Sequence, residues 1–264
     1  MSLLISGDLR LAKGWDLTGF DADAAAYIQR VEWADTTPLE AATRTAINSF
    51  VVGCKADGIW PAIKASCILA GARTRLGALT PLVGTAPTSF NFVDGDYNRK
   101  TGLVGNGSTK YLDSNRNNNA DPQNSNHNAA YVSTAATDTS IYMSASSTTT
   151  ENGDNNFGRT TGSLFSRSRT SSAFVGGSGT TTGLIGINRP GSANYIFRIA
   201  GVNLTLTQAS QTSYNSSIHV FAGPGAAIPT NARLAFYSIG ESLDLALLDT
   251  RVTDLINAFA AAIP

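Results

Sequence analysis

The stretch DGDYNRKTGLVGNGSTKYLDS, from Asp94 to Ser114, divides a mostly helical part of the chain from a mostly β part. Inside it, Asn106-Gly107 stands between Leu103-Val104 and Tyr111-Leu112. Both residues tolerate positive φ, so an Asn-Gly pair between strand formers predicts a tight turn.

Upstream, residues 1–20 keep neither a helical nor a strand period for long and read as an attachment arm, or an edge strand that needs a neighbour. Residues 21–65 read as a helical segment. Asp21 or Asp23 is placed to cap a first helix in which Tyr27, Ile28 and Val31 recur at three- and four-residue spacing. Thr37-Pro38-Leu39-Glu40 has the form of a capping box, with Thr37 as the cap and Pro38 in the first turn. The second helix then carries an apolar stripe from Leu39 through Ala46, Ile47, Phe50 and Val51 to Cys54. Trp60 follows it and reads as a core anchor.

Residues 66–241 read as short strands bounded by Gly, Asn, Ser, Thr or Pro. They are expected at Cys67–Ala72, Ala78–Val83, Phe90–Val93, Gly102–Val104, Lys110–Leu112, Ala129–Ser133, Ile141–Ala145, Ser163–Ser168, Ala173–Gly176, Gly183–Ile187, Tyr195–Leu206, Ile218–Phe221 and Leu234–Ser238. Such spacing predicts an antiparallel sandwich or barrel. The alternation from Tyr195 to Leu206 breaks near Gly201, where a bend or bulge is expected. Ser114–Asn128, Thr148–Thr161 and Gly176–Gly183 are polar and read as long loops, where partners would be met. Residues 242–264 form an amphipathic helix on Leu245, Leu248, Val252, Leu255, Ile256, Phe259 and Ile263, capped by Ser242 or Asp244. Its apolar face should cover the sandwich or a neighbouring subunit.

Several of these segments carry a resemblance. Gly58-Ile59-Trp60, Ile68-Leu69-Ala70-Gly71-Ala72, Leu79-Thr80-Pro81-Leu82-Val83-Gly84, Gly105-Asn106-Gly107-Ser108-Thr109, Tyr111-Leu112-Asp113 and Phe236-Tyr237-Ser238-Ile239-Gly240 resemble a family of bacteriophage structural proteins. That family carries a concanavalin A-like lectin/glucanase sandwich, and the similarity spans roughly residues 55–260. It implies a mainly β fold, an antiparallel concanavalin A-like jelly-roll β-sandwich with N-terminal helices and a C-terminal amphipathic helix. It also implies a non-enzymatic virion protein on the particle exterior, in a tail fibre or tail tip or as a capsid decoration, assembled in the host cytoplasm. Expected partners are other virion proteins, further copies of the chain (a trimer would suit a fibre) and a host cell-surface glycan. A carbohydrate-binding, lectin-like module is the alternative, and a glycan hydrolase comes third.

Composition narrows the setting. Charged residues are 14% of the 264, against roughly 25% in an average soluble protein, while the hydrophobic share is 42%. Ser, Thr, Asn and Gly fill the difference and keep a sheet surface wet without a field of charge. With 19 basic and 19 acidic groups and no Lys/Arg run, nucleic acid is not an expected partner. The start lacks the basic region and cleavage site of a secretory leader, and no apolar run approaches the roughly 18 residues of a membrane span. Cys54 and Cys67 are expected to be reduced and buried.

The chemistry-bearing residues are sparse. Glycoside hydrolysis needs two carboxylates across the bond, and the glucanases of this fold carry Glu-x-Asp-x-(x)-Glu on one strand. The four glutamates, Glu32, Glu40, Glu151 and Glu241, are scattered, so catalysis is not expected. Asp94 and Asp96 imitate the first ligands of a calcium loop, but Arg99 and Gly105 stand where its Gly and Glu belong; they stay weak candidates for a hard cation, and no cofactor is expected. His127 reads as a surface-loop residue and His219 as a sheet-face residue. Arg159, Arg167 and Arg169 suit acidic sugars or a solvated face. For a glycan, the candidates are the aromatic residues Tyr131, Tyr142, Phe157 and Tyr195, with Arg159 beside them.

Overall fold

The computed structural model describes residues 17–264, so most of the expected arm at 1–20 lies outside the described residues. Two helices open the described chain, α1 (Ala22–Asp35) and α2 (Ala41–Ala56), followed by strand β1 (Ile63–Ile68) and the single turn α3 (Arg75–Ala78). Five short strands come next: β2 (Pro81–Val83), β3 (Thr88–Phe90), β4 (Tyr97–Asn98), β5 (Gly102–Val104) and β6 (Tyr111–Asn117). The central run is β7 (Asn126–Thr134), β8 (Ser140–Ser144), β9 (Asn155–Thr160), β10 (Ser163–Ser168) and β11 (Phe174–Gly176). The chain then forms β12 (Gly183–Arg189), β13 (Tyr195–Ile199), β14 (Val202–Leu206), β15 (Ser217–Val220), β16 (Arg233–Gly240) and α4 (Leu245–Ala262).

The strands make two antiparallel sheets in a jelly-roll β-sandwich. The first has nine strands in the order β14-β13-β12-β7-β16-β1-β2, with β5 paired to β16 and β4 to β5; the second has seven, in the order β11-β10-β9-β8-β15-β6-β3. Between them lies a core of Leu103, Leu112, Val132, Tyr142, Phe157, Ile185, Tyr195, Phe197, Val220 and Tyr237. A separate core forms on the other side of the nine-stranded sheet, where Tyr27, Ile28, Phe50, Val51, Leu248, Val252 and Phe259 of the three long helices meet Ala129, Leu184 and Phe236 of the strands. Phe50 meets Phe236 edge-on at 5.8 Å. Strand alternation sends successive side chains to opposite faces, so β7 and β16 feed both cores at once. The nine-stranded sheet is therefore covered on both sides, and among the described residues no helix covers either side of the seven-stranded one.

Local expectations hold at α1, capped by Asp21 accepting from Asp23 N at 2.9 Å, and at α4, capped by Asp244. Both cysteines are buried and free, and Trp60 packs against the helical core. The capping box at Thr37 does not form. Thr36 closes α1 in the left-handed region (φ 55°), Leu39 N donates to the buried Glu32 at 2.8 Å, and Glu40 turns to the guanidinium of Arg99 at 2.7 Å. That pairing holds the Glu40 carboxyl down to about 2, and α2 starts at Ala41 without a side-chain cap. Near Gly201 the chain makes a hairpin turn, with positive φ at Ala200 and Gly201, rather than a bulge.

The larger departures come from polar residues that turn out to be buried. Ser114–Asn128 is no long loop: β6 runs to Asn117, β7 begins at Asn126, and Asn118, Asp121, Asn126, His127 and Asn128 are all buried. The expected loop at Thr148–Thr161 likewise contains β9. Arg167 and Arg169 are 3% and 1% exposed, so they form no solvated face. Arg169 donates to the carbonyls of Asn118, Asp121 and Pro122, and Arg189 to those of Ser168, Asn194 and Gln208. Backbone carbonyls left without such donors would be costly to bury, so these guanidiniums take the place of a strand partner. His127 bonds through Nδ1 to the Glu241 carbonyl at 2.6 Å and through Nε2 to Ser238 Oγ at 2.8 Å, which makes it a neutral ring that donates from Nδ1.

Replacing Arg169 by Met leaves the buried carbonyls of Asn118 and Asp121 without their donor, while Pro122 O keeps Ser125 N, and should cost about 3 kcal/mol of stability in chemical denaturation. Burial pushes His127 down to about 4 from an ordinary 6.5. The unfolded chain therefore takes up this proton first, and the contribution is full above pH 6.5 and lost as pH falls to 4. Wild type should lose about 3 kcal/mol over that window relative to His127→Gln, read from urea midpoints at the two pH values.

Candidate functional site

Helices cover the nine-stranded sheet, and the central strands of the seven-stranded sheet are buried on both faces as well, β8 along its whole length, so exposed strand surface on the second sheet is found at its β3–β6 edge. Leu112 and Val220 point into the sandwich core. Their neighbours Tyr111, Asp113 and His219 therefore point outward, joined at the sheet edge by Thr88 and Phe90 of β3. Cross-strand pairing then builds a column of rings. Phe90 lies directly opposite Tyr111, their centroids 4.4 Å apart and planes 11° from parallel. Tyr111 stacks in turn on His219 at 5.1 Å and 8°. Phe90 is 37% exposed and sits on the last strand of the sheet, so the column ends in a free ring face.

A polar row runs beside the column. Asp113 lies opposite Thr88 on one side and His219 on the other. Its Oδ1 accepts from Asn115 N at 2.8 Å and from Ser217 Oγ, while Oδ2 faces His219 Nε2 at 3.7 Å. Asn115, in the left-handed region, donates through Nδ2 to Thr88 Oγ1 at 3.1 Å and to the Ala86 carbonyl at 2.8 Å. Burial pulls the His219 imidazolium below its ordinary range, and the Asp113 charge partly offsets this. Its Nδ1 is buried and finds no partner among the described residues. The other acid of this sheet region, Asp154, is fully buried; burial raises it to about 6, and it accepts from Ser144, Ala145 N and Asn156.

The structure places the sequence candidates elsewhere. Tyr142, Phe157 and Tyr195 are wholly buried between the sheets, Tyr142 edge-on to Phe157 and Tyr195 bonded to Ser166, so they pack rather than offer a platform. Tyr131 lies on the helix-covered face. Arg159 keeps Nε and Nη1 buried, close beside Gly179. None of the five joins the ring column. Asp94 pairs with Arg75 at 3.0 Å and Asp96 with Lys110, so each of the two cation candidates already has a cationic partner. Among the described residues no group of three or more His, Cys, Asp or Glu is placed to hold an ion. The signal for the column was the alternation in Tyr111-Leu112-Asp113 and Ile218-His219-Val220, but which face stays open depends on the helices.

A groove of about 630 Å³ lies between α2 and α4, lined mainly by Ala46, Phe50, Leu255 and Ala258. Its cation, Arg251, is tied to Asp57 at 2.7 Å, and its remaining polar lining is Thr45, Ser49 and Asp254. Among the described residues no helix is long and apolar enough to cross a membrane.

No protein-family model matches the sequence, and no curated protein matches it. Among solved structures, the botulinum neurotoxin serotype D binding domain is similar at 10% identity and a TM-score of 0.47, over 73% of this chain and 51% of that one. A GH54 α-L-arabinofuranosidase soaked with a cyclic sulfate inhibitor is similar at 13% identity and a TM-score of 0.40, over 60% and 41%. The NanB sialidase from Streptococcus pneumoniae is similar at 11% identity and a TM-score of 0.36, over 48% and 24%. The chain thus spans about half or less of the length of these proteins, and at such scores the likeness carries no weight for function.

The Asp113 carboxylate supports the charged form of His219. Asp113→Asn should therefore lower the His219 pKa further, a shift read from its ring protons by NMR titration.

Proposed function

We propose that the chain is a non-catalytic carbohydrate-binding module whose ligand lies on the Phe90–Tyr111–His219 column. The observation that carries this reading is the column itself, three parallel rings on the sheet that no helix of the described residues covers. Sugar rings are apolar on their C–H faces and polar at their rims, so they favour an aromatic surface beside hydroxyl and carboxylate groups. Phe90 offers the free face, and Thr88 and Asp113 offer the polar groups. A sugar unit stacked on Phe90 would leave the next unit above the polar row.

Binding without hydrolysis fits the acids present. Hydrolysis needs two carboxylates across the scissile bond. Asp113 is the carboxylate that lies opposite Thr88 and His219 in the column's strands, and Asp154 is buried under three donors. A module of this kind agrees with the host-surface attachment role that the resemblance to bacteriophage structural proteins implies.

Phe90→Ala and Tyr111→Ala should each weaken binding to a retained glycan about tenfold, a loss of about 1.4 kcal/mol. Glycan-array screening followed by calorimetry reads this, with circular dichroism to verify folding. Unchanged affinity in both variants would move the site off the column, and release of reducing ends by the wild type would replace binding with hydrolysis.

A further inference from the structure

Resting on that glycan reading, we infer that the ligand is an uncharged sugar that presents neighbouring hydroxyl groups to Asp113, and that acidic sugars are rejected. The inference starts from how the carboxylate is held. Two donors, Asn115 N and Ser217 Oγ, converge on Oδ1 and fix the orientation of the group. Among the described residues Oδ2 has only His219 Nε2 in front of it, at 3.7 Å, beyond hydrogen-bond length. The side chain is 25% exposed, so this oxygen keeps acceptor capacity toward solvent. An ionised carboxylate only accepts, and hydroxyl groups on adjacent ring carbons are donors suited to it.

The cations that flank Tyr111 and Asp113 in sequence are already committed. Lys110, next to Tyr111 in sequence, is paired with Asp96. Arg116, on the same strand as Asp113, holds Asp121 through Nε at 2.9 Å and through Nη2. Arg169 and Arg189 are buried on backbone carbonyls. A uronic or sialic acid carboxylate at the column would therefore meet the negative charge of Asp113 with no free cation beside it among these groups. Like charges at close range disfavour each other, most of all where water is partly excluded.

The test compares galactose oligomers with galacturonic acid oligomers of equal length, which carry a carboxylate at C6, by calorimetry at one fixed ionic strength. The neutral oligomer should bind wild type at least tenfold more tightly. Asp113→Asn should weaken the neutral oligomer about tenfold and narrow the gap between the two, and circular dichroism and thermal melting confirm its fold. The same comparison with glucose and mannose oligomers against their uronates covers the other hydroxyl arrangements. Equal or tighter binding of the acidic member in each pair overturns the inference while leaving the glycan reading in place. If neither member of any pair binds, the glycan reading itself falls and takes the inference with it.

Discussion

Burial of the nine-stranded sheet on both faces is the constraint on which the rest of the structure depends. β7 and β16 lie at its centre and supply Val132, Leu234 and Tyr237 to the sandwich core while Ala129, Ala235 and Phe236 meet the helices. Each strand must then carry apolar residues on both sides, and the three long helices exist to keep the second side dry. Phe259 of α4 and Phe50 of α2 close over that face. With one sheet committed in this way, strand residues of the other reach solvent mainly at its edges, as Thr88 and Phe90 of β3 and Val175 of β11 do.

The polar end of the sandwich is held by a different kind of bond. Buried arginines make few ion pairs there and instead donate to backbone carbonyls of Asn118, Pro122, Ser168 and Gln208. Burial draws Arg169 and Arg189 down to about 10, which still leaves both charged at neutral pH. A guanidinium presents five donors in a plane, so one side chain can satisfy a whole turn of irregular backbone. The low share of charged residues is thus deceptive, because some of the charge that is present works inside the molecule.

The same division explains where function can sit. Rings directed between the sheets, such as Tyr142, Phe157 and Tyr195, fill volume and have no free face. Rings directed outward from β3 and β6 stack on one another because cross-strand neighbours lie a few ångströms apart. Stacking hides part of each ring from water, which lets an aromatic column stay on a solvent-facing sheet without becoming a large apolar patch.

Composition, strand-length apolar runs and the helical stripes at 21–54 and 245–263 were enough to read a mainly β sandwich with helices at both ends, because each rests on a local period of 2 or 3.6 residues. Runs such as Asn126-His127-Asn128 and Arg167-Ser168-Arg169 could not be read that way, since a polar residue enters the interior only when distant partners such as Glu241 O or Asn118 O wait for it. The ring column shows the same limit. Local alternation in the sequence places Tyr111 and His219 between core residues; that they stack, with Phe90 at the exposed end, came only from the tertiary structure, because burial is settled by contacts between residues as far apart as Tyr111 and His219.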